Sequence, residues 1–308
     1  MINIFLGLTP FIFITFLGYL FGRFKIFDLK HAKILNLFLF YIAVPALIIK
    51  LVAQSEIGLI DLKQIISYFL MQTACGILAY LITSKYFKRS VPESIIWALT
   101  VALSNHVTLL LPITEIYFGE NVIAQVAGII LMDCIILLRL ITFFLELATK
   151  KNVQLFRFIQ NILFNPMILS ILIGVFLVIF NLNINDTPIE YILSKLSACV
   201  SPVGLFATGI ILSFYTNDVL NKLTLSISIL KLLISPIILL LIGFIFFNSG
   251  IPKEIPGAFF VSVAPCGLTS IVLCSAYNVS PENIIKAIFV STFASIGTIF
   301  FAIKYLTL

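Results

Sequence analysis

The sequence predicts an all-α polytopic membrane protein: ten transmembrane helices in two inverted five-helix repeats, with helices four and nine broken. Three observations carry this reading. The 308-residue chain is 61% hydrophobic and 10% charged, whereas a soluble globular domain is about 25% charged and about 45–50% apolar. Charge-free runs recur at 1–22, 64–84, 94–114, 158–185, 196–217, 232–252 and 255–281, and most reach the ~20 residues that cross a bilayer core. Finally, VPESIIWALTVALSNH from Val91 aligns without a gap on IPKEIPGAFFVSVAPC from Ile251, an offset of 160 residues. Pro92 meets Pro252, Ala98 meets Ala258, Val101 meets Val261 and Tyr117 meets Tyr277.

The spans follow in order. The first, 4–22, is read as a retained helix rather than a cleaved leader, because its first basic residue, Arg23, comes after the apolar stretch. The second, 33–53, holds Pro45, a kink position; the third, 63–84, holds Gln72. The fourth, 94–114, is interrupted by Ser104-Asn105-His106, which suit a helix badly. The fifth, 121–145, carries Gln125, Asp133 and Arg139. Residues 148–157 form a short connection between a first repeat, 1–147, and a second, 158–308. The sixth span, 158–181, contains Asn165-Pro166 near its start, and the seventh, 190–213, holds Pro202, which matches Pro45 at an offset of 157. The eighth, 220–247, carries Lys231, and the ninth, 256–276, is interrupted by Ala264-Pro265-Cys266-Gly267; 284–304 is the tenth. Paired, interrupted spans at corresponding places in two halves point to a secondary-transporter binding site.

Charge placement orients the chain. The first, third and fifth connections carry Arg23, Lys25, Lys30, Lys33, Lys85, Lys88, Arg89, Lys150, Lys151 and Arg157. The second, fourth and sixth carry mainly Glu56, Asp61, Glu115, Glu120, Asp186 and Glu190, with Lys63 as the clear basic exception. Basic connections face the cytoplasm, so both termini are expected on the non-cytoplasmic side of the inner membrane. The same rule accounts for the net charge of +6 and removes the case for a nucleic-acid partner. The five cysteines have no metal-type spacing, and neither a metal nor an organic cofactor is expected. No paired-acid, HExxH or Ser/His/Asp pattern suggests an enzyme. Asp133, Arg139 and Lys231 are costly in a span and should pair, line water or reach an interface; a contact between Lys231 and Asp133 is one such pairing. Gln72 and Gln125 are pocket candidates or interhelical glue.

An ordered set of segments resembles the auxin efflux carrier family in a short form without a long central hydrophilic loop. These are FLGYLFGRFKIF from Phe16, NLFLFYIAVPAL from Asn36, SNHVTLLLPITEIYFG from Ser104, NPMILSILIG from Asn165, SPVGLFATG from Ser201, KLLISP from Lys231 and APCGLTSIVLCSAY from Ala264. The resemblance implies a scaffold part, a transport part and two broken helices that cross near mid-membrane. It implies transport of a small organic anion, such as a mono- or dicarboxylate, and a homodimer. The rival reading is a sodium- or proton-coupled symporter of the bile-acid-transporter type; others are a channel or a non-transporting sensor.

At such a crossover the positive ends of two half-helices would attract a carboxylate. Substrate contacts are therefore expected from Ser104, Asn105, His106 and Thr108 on one side. Pro265, Cys266, Gly267, Leu268 and Thr269 are expected on the other. Asn105 is expected to cap the half-helix or touch ligand, Pro265 to free a carbonyl, and His106 to donate to an anion, carry a proton, or bond across helices. Pro45, Pro202, Gln72, Gln125, Asp133 and Lys231 are expected in structural or coupling roles.

Overall fold

The computed structural model describes residues 2–54, 61–149, 164–215, 218–248 and 252–307. All but the first two residues of the expected 148–157 connection lie outside these, as does the start of the expected sixth span. Among the described residues the chain is helical with no strand. Its helices are α1 (Ile2–Arg23), α2 (Leu29–Gln54), α3 (Leu62–Tyr86), α4 (Val91–Ala102), α5 (Leu111–Tyr117), α6 (Glu120–Thr149), α7 (Pro166–Ile179), α8 (Pro188–Ser213), α9 (Lys222–Phe246), α10 (Pro256–Ser262), α11 (Thr269–Ala276) and α12 (Glu282–Thr307). Seven of them are long and apolar enough to cross a membrane; α4 and α7 are apolar but shorter. Each lies within or close to an expected span.

Helix starts are set by local chemistry. Asp28 caps α2 by accepting from the backbone N–H groups of Lys30 and His31, and His31 returns a bond to the Asp28 backbone. The Asp28 carboxyl is held below its usual range chiefly by the His31 amide. Ser90, Asn165, Thr187 and Asn221 cap α4, α7, α8 and α9 in the same way. α10 has no cap of its own. Its first amides, Gly257 and Ala258, donate instead to the side-chain oxygens of Gln125 on α6 and Gln64 on α3, each at 3.3 Å. Gln125, a pocket candidate from sequence, thus anchors a helix end.

Several long helices contain π turns that the sequence reading did not anticipate. They cover Leu39–Ala43 in α2, Ile82–Tyr86 in α3, Asp133–Leu137 in α6 and Leu230–Ile234 in α9; a fifth, His106–Leu110, leads into α5. Three of them end two residues before a proline: Pro45, Pro112 and Pro236. A proline cannot donate to the carbonyl four residues back and its ring crowds that carbonyl. The widened turn takes up this misfit. Pro202 lies just past another irregularity, at Cys199, where α8 passes from Pro188–Ala198 to Val200–Ser213. Both expected kink positions therefore sit at real departures from regular helix.

Packing is inverted relative to a soluble domain. Phe13, Phe16, Phe176, Phe244, Ile245 and Phe301 are exposed, while Gln72, Asp133 and Lys231 are as fully buried as Tyr68, Trp97 and Phe260. That arrangement suits a lipid surround. The tightest helix contact pairs α1 with α8. A Cβ at Gly18 would overlap the Phe206 carbonyl, and one at Gly209 would overlap that of Thr15, so small residues let these backbones touch.

Candidate functional site

Regular helix stops after Ala102 and again after Ser262, and the two interruptions meet. Leu103 turns to extended backbone. Ser104 and Cys266 face each other as an antiparallel bridge. The Asn105 N–H donates to the Pro265 carbonyl at 3.0 Å, and the Gly267 N–H donates to the Leu103 carbonyl at 2.7 Å. The Cys266 N–H donates to Ser291 Oγ of α12 at 3.2 Å, and Thr298 of the same helix donates to the Val263 carbonyl at 2.8 Å. Polar backbone buried without partners costs several kcal/mol per group in a membrane interior, on the order of a lost bond. Here the two breaks meet much of that requirement reciprocally.

Pro265 accounts for one further detail. It has no N–H for the Val261 carbonyl, four residues back. That carbonyl accepts from the Ala264 N–H at 3.2 Å and from Ser104 Oγ at 3.0 Å. Having donated its only proton, the Ser104 hydroxyl accepts from Tyr68 OH at 2.8 Å and from Lys231 Nζ at 2.7 Å. Lys231 is completely buried, so its ammonium is held against the first break by a donor–acceptor count that closes at Ser104. The expected Lys231–Asp133 contact is not formed. Asp133 Oδ2 lies 2.7 Å from His106 Nε2 instead. The π turn opened by Asp133 and the one opened by His106 set the phase that brings these side chains together.

Asn105 does not cap the following half-helix with its side chain. Its Oδ1 accepts from Thr108 Oγ1. Gln72 Nε2 reaches Met132 Sδ at 3.4 Å. Gly267 is required by closeness alone: a Cβ there would lie 2.8 Å from the Leu103 carbonyl oxygen, the atom its own N–H bonds.

Two cavities flank this network. One of about 310 Å³ is bounded by Asn36, Thr108, Arg139, Asn165, Thr208 and Thr269, with Leu268 and apolar neighbours. The other, about 620 Å³, is bounded by Lys50, Gln54, Glu115, Glu120, Ser194 and Ser201, among others. The same elements supply both linings in successive registers. α2 gives Asn36 to Val44 to the first and Leu47 to Gln54 to the second; α8 gives Gly204 to Ile211 and then Ser194 to Ser201. α6 contributes Leu138 to Thr142 and Glu120 to Ala127, while Thr108 and Val107, adjacent in sequence, part to the two sides.

Of the nine residues expected at the substrate, Thr108, Leu268 and Thr269 line the smaller cavity. Ser104, Asn105, His106, Pro265, Cys266 and Gly267 form the buried layer behind it. Arg139, Asn36, Thr142 and Thr208 were not among the expected site residues. Arg139 had left a signal, an arginine inside an apolar span; the others had left none. Among the described lining residues of the smaller cavity, Arg139 is the one with a formal charge, whereas the larger mixes Lys50 with Glu115 and Glu120.

Lipid-facing apolar helices around a polar, discontinuous centre, with cavities toward both ends of one bundle, define a multi-pass membrane protein of transporter type. Comparison with known proteins agrees. The family model described as "Membrane transport protein" matches residues 4–303. A transporter of Methanocaldococcus jannaschii, itself uncharacterised, is 27% identical over 286 residues, 91% of each chain. The chain belongs to the membrane transport protein family, of the auxin efflux carrier type. Family and relative both indicate a transporter rather than an enzyme.

Proposed function

We propose that the protein is a secondary carrier of a small organic anion, a mono- or dicarboxylate, working by alternating access. The observation that carries this reading is the smaller cavity. About 310 Å³ suits a small ligand. Its one formally charged lining residue is a cation, and Thr108 and Thr269 bring hydroxyls from the starts of both post-break segments. Arg139 anchors a carboxylate, with Thr269 and Asn36 orienting it, while Thr108, whose proton goes to Asn105 Oδ1, shapes the wall beside it. Asn105 acts at one remove, by holding Thr108.

In this reading α4 with α5 and α10 with α11 are each one broken span, which gives ten spans in two inverted repeats. The basic connections support a smaller cavity that opens to the cytoplasm and termini that lie outside it. The paired cavities support exchange across the thin layer where Val44, Val107, Thr108, Val200 and Gly204 separate them.

The test is exchange of radiolabelled mono- and dicarboxylates by purified protein in proteoliposomes. Arg139→Gln should lower the apparent affinity at least about tenfold, the value of one charged hydrogen bond, with Arg139→Lys intermediate. Asn105→Ala should weaken exchange less. Full affinity in Arg139→Gln, or exchange of neutral solutes alone, would reject the anion site.

A further inference from the structure

We propose that His106 and Asp133 form a proton-binding pair that sets the charge of the crossover and biases which cavity is open. The proton site rests on the buried pair itself, while its bias on the two cavities rests on the alternating-access reading above; the histidine signal and the cavity labelling test the two parts separately.

Nε2 of His106 and Oδ2 of Asp133 are 2.7 Å apart, and both side chains are nearly inaccessible. An ionised carboxylate only accepts, so the bond places a proton on Nε2 and leaves Nδ1 with a lone pair. Nδ1 has no hydrogen-bond partner in the structure, nor has Asp133 Oδ1. The pair therefore has a basic nitrogen ready for a second proton, which goes to Nδ1 and turns a neutral imidazole into an imidazolium facing a carboxylate. Histidine is the side chain whose ordinary titration falls near neutrality.

The surroundings fix what that proton does. From α3, Tyr68 interacts electrostatically with Asp133; from α9, Lys231 does; on α6 itself, Cys134 does, and Cys134 also senses Arg139. The thiols of Cys75 on α3 and Cys266 of the second break lie near Lys231. With Lys231 and Asp133 charged and His106 neutral, the buried core sums to zero. Protonation makes it positive by one. Thr108, two residues beyond His106, lines the smaller cavity, so a carboxylate there offsets the added charge. With Arg139 of the same cavity counted, the empty-neutral state and the state with a proton and a monocarboxylate carry the same net charge, so the two moves expose the same charge to lipid.

His31 is the only other histidine and is exposed, which makes the pair directly observable. In a His31→Gln background, ring-¹⁵N-labelled protein in lipid nanodiscs gives one histidine signal. That signal should pass from neutral to doubly protonated as the pH is lowered. In parallel, maleimide labelling of Thr142→Cys, carried in a Cys199→Ser background, should change about threefold or more across the same transition. The change should vanish in His106→Gln and be displaced in Asp133→Asn. A His106 signal fixed in one state throughout overturns the proposal. So does a labelling change that survives unaltered in His106→Gln. Because His106→Gln keeps a polar side chain of similar size, its folding can be checked by monodispersity in detergent before either measurement.

Discussion

At the scale of single residues, much of the site's chemistry is bookkeeping of donors and acceptors. Ser104 gives one proton to the carbonyl that Pro265 cannot serve and receives two, from Tyr68 and from a buried ammonium. Gly267 is the residue with least latitude. Its amide bonds the Leu103 carbonyl at 2.7 Å, and any Cβ would press on that same oxygen. Gly267→Ala should therefore cost about 1–3 kcal/mol, as overpacking does, and Gly267→Val more. Thermal unfolding in detergent measures this, and unchanged melting in both variants would show that the bridge yields freely.

Among the elements, α10 shows how a helix too short to stand alone is held. Seven residues long and without its own cap, it has two of its first amides received by Gln64 and Gln125 from two neighbouring helices. Gln64→Leu or Gln125→Leu leaves a buried N–H without a partner, at about 1–3 kcal/mol each. The double substitution should lower the melting temperature further than either single one, and hydrogen exchange at Gly257 and Ala258 should rise. The contrast between what could and could not be read from the sequence is sharpest at this scale. Hydropathy located the spans, and Asn105, Pro265 and Gly267 marked the interruptions, because those signals are local. The π turns were hidden, since one extra residue in a turn leaves no compositional trace; only the prolines behind three of them hinted at irregularity. Partners were hidden too. Lys231 chose Ser104 over Asp133, and Gln125 became an anchor, because such pairings depend on helix phase and on which faces meet. Arg139 was visible as a charge in an apolar run, but its exposure to a cavity follows from the packing of α2, α6, α7 and α8 around it.

For the whole molecule, the two cavities give the clearest expectation. Ser194→Cys reports the larger and Thr142→Cys the smaller. With Cys199, the partly exposed native thiol, replaced by serine, conditions that raise maleimide labelling at one site should lower it at the other. Simultaneous full labelling of both, unaffected by added carboxylate, would describe a pore instead of a carrier. The clasp between the breaks narrows the kinds of motion open to such a machine. Prising Leu103–Asn105 from Pro265–Gly267 would strand two amides and two carbonyls far from water, at on the order of 10 kcal/mol for two such bonds. A rearrangement that leaves them joined avoids that penalty. α4, α5, α10 and α11 are therefore expected to travel together as one knot, and the sliding surface to be sought at its outer edge, against α2 and α8.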